Sequence, residues 1–174
     1  MNHSDHMTLL TRGILQPGGI WADLGAGSGA FTLALAQLLG EQSSIYAVDK
    51  NGSDLRRLKR AVNQHFPHTT CHLLQSDFTE DLELPPLDGI VMANSLHFLA
   101  TKDVFLQKMH GWLKENGRFL LVEYNVDQGN RWVPYPVSYQ TWSQQAKRYG
   151  FQHTELLATR PSRFLGEIYA AASW

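Results

Sequence analysis

Residues 21–31, "WADLGAGSGAF" from Trp21 to Phe31, are the stretch on which the reading of the fold turns. Three glycines, Gly25, Gly27 and Gly29, fall within five residues, and a carboxylate, Asp23, stands just before them. Gly25, Gly27 and Ala30 satisfy the G-x-G-x-x-G/A spacing of a strand-to-helix turn in which a ligand approaches bare backbone. On one side, Ile20 to Leu24 reads as a buried strand; on the other, Phe31, Leu35 and Leu38 recur at helical spacing until Gly40. Strand, glycine turn and helix are the first unit of a parallel sheet covered by helices.

The alternation continues outward. "IYAVD" is a second strand ending at Asp49, after which Ser53 or Asp54 caps a helix with Leu55, Leu58 and Val62 on one stripe. Arg56, Arg57, Lys59 and Arg60 fall outside that stripe and read as its wet face. "TCHLLQSD" is a third strand ending at Asp77, and beyond Pro85 and Pro86 "GIVMAN" is a fully buried fourth. "SLHFL" and a helix around Phe105, Met109 and Trp112 follow, with Gly117 as its end and "RFLLVEY" as the fifth strand. A loop then enters a helix from about Ser138 to Tyr149 that stops at Gly150. The last two strand-like runs flank Pro161 too closely for a helical crossover, so they pair as an antiparallel hairpin. The expectation is a doubly wound α/β fold: a mostly parallel, seven-stranded sheet with a C-terminal antiparallel hairpin, one domain over residues 1–174.

Bulk properties narrow the function. With 174 residues, 43% of them hydrophobic, the chain buries one substantial core. A formal net charge of -1 supplies no basic field for wholesale attraction to nucleic acid or anionic membrane. No apolar run approaches the roughly 20 residues that cross a bilayer. Cys71 is the single cysteine and "MNHSDHMTLL" lacks the layout of a signal peptide, so a cytoplasmic location is expected. Composition leaves the oligomeric state open.

The charges around the glycine turn select the ligand. A dinucleotide sets its pyrophosphate over this loop, where backbone amides attract anions and Asp23 repels them. At about 4 Å such a charge pair is worth roughly 1 to 4 kcal/mol, depending on exposure. A cationic ligand turns that repulsion into attraction. S-adenosylmethionine meets the requirement with an ammonium, a sulfonium and two ribose hydroxyls, and brings no phosphate. The motifs "DLGAGSG", "YAVD", "QSDF", "LDGIVMANSLHFL" and "LKENGRFLLVEY" then resemble, in order and spacing, the class I S-adenosylmethionine-dependent methyltransferases. The resemblance runs from about Leu15 to the C-terminus, and the closing hairpin belongs to it.

That resemblance implies Asp23, Gly25 and Gly27 near the methionine end of the cofactor and Asp49 accepting from the ribose hydroxyls. It implies Asp77 and Phe78 around the adenine, with Asp77 taking the exocyclic amine, and Asn94 between the methionine end and the substrate entrance. Ala26 and Lys50 complete the expected cofactor-binding set. "NSLH" departs from the N-P-P-aromatic pattern of amide and nucleobase methyltransferases, which disfavours nucleobase N-methylation.

His97 is a candidate general base, with packing or ligand lining as its alternative, and Tyr124 with Glu123 closes the fifth strand near the same mouth. Methyl transfer from a sulfonium is an in-line displacement that needs alignment and dryness rather than a nucleophilic side chain. Arg131, Trp132 and Tyr135 mark the loop 125–137 as a substrate lid, together with the N-terminal segment 1–14 around Met7 to Leu10; cementing of the loop is the plainer alternative. His65, His68, Cys71 and His72 do not make a metal site, because Cys71 and His72 are strand neighbours that point to opposite faces. His3 and His6 read as a solvated tail. The expected function is methyl transfer from S-adenosylmethionine to a small molecule. A macromolecule methyltransferase, a binding module without turnover and an NAD-dependent oxidoreductase are the alternatives, the last disfavoured by Asp23 and the hairpin.

Overall fold

Alternating apolar runs and amphipathic helices build seven strands, β1 (Gly19–Leu24), β2 (Ser43–Asp49), β3 (Thr70–Gln75), β4 (Leu87–Ala93), β5 (Leu113–Tyr124), β6 (Thr154–Ser162) and β7 (Gly166–Ser173). The helices are α1 (His3–Leu10), α2 (Ala30–Leu39), α3 (Gly52–His65), α4 (Asp103–His110) and α5 (Tyr139–Gln145). In this computed structural model, which describes Met1–Trp174, the strands form one sheet of order β3-β2-β1-β4-β5-β7-β6. Pairings from β3 to β5 are parallel, and β7 runs antiparallel to both β5 and β6. The doubly wound sheet with its reversed hairpin is the fold expected from the sequence.

Side chains alternate across the strands and set up a core on each face. Ala22, Leu24, Ile90, Met92 and Phe119 pack with Phe105 and Met109 of α4 and Trp142 of α5. Trp21, Val91, Leu120 and Val122 pack on the other face against Leu9 and Leu10 of α1 and Leu35 of α2. Leu55, Leu58 and Val62 of α3 cover Ala47 and Cys71. The same alternation turns Asp23 toward α2, where Thr32 meets it, and Glu123 toward the opposite side. Residues 76–86 join β3 to β4 without a helix, and Leu82 and Leu84 of this strap pack onto the core.

Several boundaries differ from the expectations. Asn51, not Ser53 or Asp54, caps α3: its side chain accepts from the Ser53 and Asp54 N–H groups, because the helix begins at Gly52, two residues before a Ser53 cap would start it. Gly117 does not end a helix. The helix stops at His110, and Leu113 already pairs with Leu87, across a register shift between Leu87 and Gly89. Lys114 holds that early stretch of β5 to Asp88 at 2.8 Å. β3 ends at Gln75, so Asp77 sits in the loop beyond it. Pro161 lies within β6 opposite Glu167, and Arg163–Leu165 make the turn; β6 is an edge strand, where a missing N–H is tolerated.

The N-terminus is not a solvated tail. Asn2 and Asp5 form a capping box, His3 Nε2 meets Gln37 Oε1 at 2.7 Å, and the His6 ring lies 4.6 Å from that of Phe31. Leu9 and Leu10 are fully buried, and truncating such a side chain costs about 2–5 kcal/mol. No helix is long and apolar enough to cross a membrane.

Candidate cofactor and acceptor site

The site is built where β1, β2 and β4 end. Gly25 has φ +86°, and a Cβ there would meet the Ser95 Cβ at 2.5 Å, so the turn requires glycine. That conformation lets the Gly25 and Ala26 N–H groups both donate to the Val48 carbonyl, at 2.9 and 3.0 Å. The Gly27 N–H donates to Asp49 Oδ2 at 2.8 Å, and open space lies where a Gly27 side chain would stand. Asp49, expected at the ribose, therefore also straps the loop to β2; its Oδ1 accepts from the Asn51 N–H at 2.8 Å. Ser95 donates through Oγ to the Leu24 carbonyl at 2.7 Å and locks the β4 end to the β1 end.

Asp23 is 1% exposed. Its Oδ2 accepts from Thr32 Oγ1 at 2.6 Å, and Oδ1 has no partner within the chain. Burial pushes its carboxyl up to about 6, with the Thr32 hydroxyl pulling it down and the Asp49 charge adding to the rise. It lines a cavity of about 210 Å³ with His6, Gly25, Phe31 and Asn94. A carboxylate kept this dry is stabilised by any cation that enters beside it.

A second cavity of about 420 Å³ is lined by Gly25, Asp49, Lys50, Asp77, Phe78 and Asn94, among others. Lys50 Nζ bridges to Asp77 Oδ2 at 2.6 Å. Asp77 Oδ1 accepts from the Thr79 N–H at 2.9 Å and from its hydroxyl at 2.8 Å. Burial works to raise the Asp77 pKa, yet Lys50 and Thr79 outweigh it and hold the carboxyl below its usual range. The bond to Asp77 raises the Lys50 pKa in turn. The Phe78 ring lies 5.3 Å from Phe105 and is mostly buried, so it is shared between the core and the cavity wall.

Asn94 joins the cavities. Its φ of +52° is uncommon outside glycine, and its Oδ1 is buried with no hydrogen-bond partner. A third cavity of about 590 Å³ begins at the same residue and runs past Met1, Asp5, Tyr124, Arg160 and Phe164. The orphaned Asn94 oxygen calls for a donor, the buried Asp23 for a cation, and the two further carboxylates for hydroxyl and amine donors. S-adenosylmethionine carries all of these groups, so the residues present fit it.

His97 is 3% exposed and lies in a tight turn, Leu96–Phe98, beyond β4. Its Nδ1 meets both Glu123 carboxylate oxygens at 2.9 Å, and Glu123, itself fully buried, also accepts from the Tyr124 N–H at 2.8 Å. Phe98 and Tyr124 flank the His97 ring, at 4.4 and 6.2 Å between centroids. The Tyr124 phenol is raised, by burial first and the Glu123 charge second, so it stays neutral as a hydroxyl donor.

The loop 125–137 is pinned at both ends. Asp127 accepts from the Ser138 N–H and hydroxyl and from the Thr141 hydroxyl, at 2.8 to 2.9 Å. Lys102 Nζ donates to the carbonyls of Leu99 and Tyr135, at 2.7 and 2.8 Å. The Tyr135 N–H donates to the His97 carbonyl at 3.0 Å, which sets the loop against the turn that walls the second cavity. Trp132 is 68% and Tyr135 48% exposed, and the Arg131 guanidinium sits 5.6 Å above the Trp132 ring. At the N-terminus the cavity walls are Met1, Asp5 and His6; Leu9 and Leu10, expected over the site, are in the core. Cys71 is buried beneath α3, and His72 stacks on Tyr46 at 4.4 Å on the other face.

Sequence reading missed Thr32, Ser95, Arg160, Arg163 and Phe164. Thr32 carried a usable signal, since it lies nine residues past Asp23 in the first turn of the following helix. The hairpin residues carried none, because only the return of β7 beside β5 brings their turn to the site.

A family model described as a methyltransferase domain matches residues 22–119. Carboxy-S-adenosyl-L-methionine synthase of Vibrio atlanticus is 27% identical over 121 residues, 68% of this chain and 50% of that protein. The ubiquinone/menaquinone biosynthesis C-methyltransferase UbiE of Vibrio campbellii is 29% identical over 112 residues, 63% of this chain and 43% of that protein. The chain thus spans about half the length of the curated relatives it matches. Among solved structures, a SAM-dependent methyltransferase from Aquifex aeolicus superposes with a TM-score of 0.73 at 19% identity, covering 97% of this chain and 88% of that one. YcgJ from Bacillus subtilis superposes with a TM-score of 0.77 at 13% identity, covering 98% of each chain, and at these identities the likeness is one of fold. With the family match spanning more than half of the residues, and every strand end around Asp23, Asp49, Asp77 and Asn94 inside it, the chain belongs to the methyltransferase domain family.

Proposed function

We propose that the protein is an S-adenosylmethionine-dependent methyltransferase acting on a small-molecule acceptor. The observation that carries this reading is the junction at Asn94, where a buried carboxylate cavity, a carboxylate-and-lysine cavity and a third chamber share one wall residue. The chamber of about 590 Å³ has the dimensions of a small-ligand site. The names of the curated relatives, a carboxy-S-adenosyl-L-methionine synthase and a quinone-biosynthesis C-methyltransferase, agree with a small acceptor.

Bound at this site, S-adenosylmethionine supplies a methyl group made electrophilic by its sulfonium. Asp23 takes the ammonium, Asp49 the ribose hydroxyls, and Asp77 with Phe78 the adenine, while Gly25, Ala26 and Gly27 keep the backbone close. Asn94 Oδ1 receives a donor at the methionine end. In-line transfer needs an aligned acceptor and little water, and the buried Asp23 with the buried Oδ1 of Asn94 keep that corner dry. His97, held at Nδ1 by Glu123, is 3% exposed and lines none of the three cavities, so it serves as the acceptor's base only where the acceptor reaches its Nε2, which has no partner within the chain; Tyr124, which lines the third chamber, orients the acceptor as a neutral donor. Arg131, Trp132 and Tyr135 form a cover on the Phe98 side, and residues 1–174 act as one domain.

Labelled methyl transfer from S-adenosylmethionine into a cell extract, followed by fractionation, tests the reading. Label in the small-molecule fraction is expected; label confined to protein or RNA overturns the small acceptor, and no label overturns the activity.

A further inference from the structure

The third cavity has a chemistry of its own. Two arginines, Arg160 and Arg163, line it, against the single carboxylate of Asp5. Asp5 is already taken: its Oδ1 lies 3.3 Å from Arg160 Nε, and Arg160 also donates to the Thr159 carbonyl at 3.2 Å. Arg163, in the turn between β6 and β7, pairs with no carboxylate of the chain. Beside it stand two rings, Phe164 and Tyr124, edge to face at 5.8 Å, and Phe164 is half exposed on the tip of a hairpin. A free guanidinium next to an uncovered aromatic pair recognises a flat ring that carries an acid group, since the guanidinium fork matches a carboxylate and the ring edges and faces match another ring.

We propose that this cavity is the acceptor subsite and that it selects an aromatic carboxylate, with Arg163 holding the carboxylate, Phe164 and Tyr124 packing the ring, and Arg160 held in place by Asp5. The assignment rests on the small-acceptor reading above and gives that acceptor a chemical class. The common wall at Asn94 puts the ring next to the methionine end of the cofactor. It also assigns work to a C-terminal hairpin that no cofactor role engages.

Benzoate and benzyl alcohol, the same ring with and without the charge, serve as probes, titrated by NMR into the full chain saturated with S-adenosylhomocysteine. Benzoate is expected to bind about tenfold more tightly, the scale of one charge-assisted contact. Arg163→Gln removes that preference and leaves the S-adenosylhomocysteine affinity unchanged. Phe164→Ala weakens both probes and keeps their ratio. Equal binding of the two probes, no binding of benzoate, or a preference that survives Arg163→Gln overturns the assignment. These results are separable from failure of the parent reading, which would appear as no S-adenosylhomocysteine binding or as label confined to macromolecules.

Discussion

Replacing Asp23 by asparagine has opposite effects on folding and on cofactor binding, and the opposition follows from its burial. The carboxyl titrates near 3.8 in the unfolded chain and is pushed up to about 6 in the fold. Between those values the native state holds the extra proton, so wild-type stability falls as pH rises through this window and is level above it. Two units correspond to about 3 kcal/mol. Asparagine has no such titration, but its amide N–H₂ replaces an acceptor and leaves a buried donor that costs about 1–3 kcal/mol at every pH. The variant is therefore less stable than wild type at pH 4 and equal to it or more stable by about 1–2 kcal/mol at pH 7. Urea unfolding of both proteins at pH 4, 5, 6 and 7 measures the difference directly. The stabilisation by S-adenosylhomocysteine, about 2.7 kcal/mol at a hundred times its Kd, should largely vanish in the variant. A stability difference that is flat across this pH range would refute the buried carboxylate as the titrating group. An unchanged cofactor affinity would refute its pairing with the ammonium.

Other outcomes test neighbouring parts of the site. S-adenosylmethionine and S-adenosylhomocysteine should each raise the melting temperature, by roughly 2–4 °C per kcal/mol of binding for a chain of this size, and NAD should not. Gly27→Ala meets open space, so it should cost only about 1–2 kcal/mol for its positive φ while abolishing that melting shift, because the added methyl occupies the ligand side of the loop. Gly25→Ala, which drives into Ser95, should destabilise more than Gly27→Ala in the same denaturation assay. Glu123→Ala leaves His97 without its partner in the core and should lower stability by about 1–3 kcal/mol. The double change Trp132→Ala and Tyr135→Ala, at residues that stand on the Phe98 side of the second cavity and line no part of the third, should raise the cofactor KM severalfold and leave the acceptor KM near its wild-type value; an unchanged cofactor KM would leave the loop as packing alone.

The local chain determined a good deal of this protein. Asp23 with Gly25 and Gly27, Asp49 and Asp77 stood out because each follows a short apolar run, and in a parallel sheet such run ends gather along one edge. Strand existence was legible for the same reason: apolar alternation is a property of neighbours in sequence. Boundaries were less so. Gly117 looks like a helix stop, and only the pairing of Leu113 with Leu87 extends β5 past it. Asn51 takes the cap from Ser53 because hydrogen-bond geometry, not residue preference, decides between adjacent candidates.

What the tertiary structure alone decided lies at long range. His97 and Glu123 are 26 residues apart, and their contact exists because β4 and β5 are paired neighbours. The N-terminal helix became part of the core, with Met1, Asp5 and His6 rather than Leu9 and Leu10 at the cavities, since α1 packs by its apolar end on the sheet. Arg160, Arg163 and Phe164 reach the site because β7 doubles back beside β5 and carries the hairpin turn with it. The sequence by itself determined which carboxylates and glycines gather at the ends of the parallel strands, through charge and spacing within single strand-turn-helix units. The fold decided which residues line the third chamber, because Met1 and Asp5, Asn94, Tyr124 and the turn after Arg160 come from four separate parts of the chain, and no local pattern encodes their meeting.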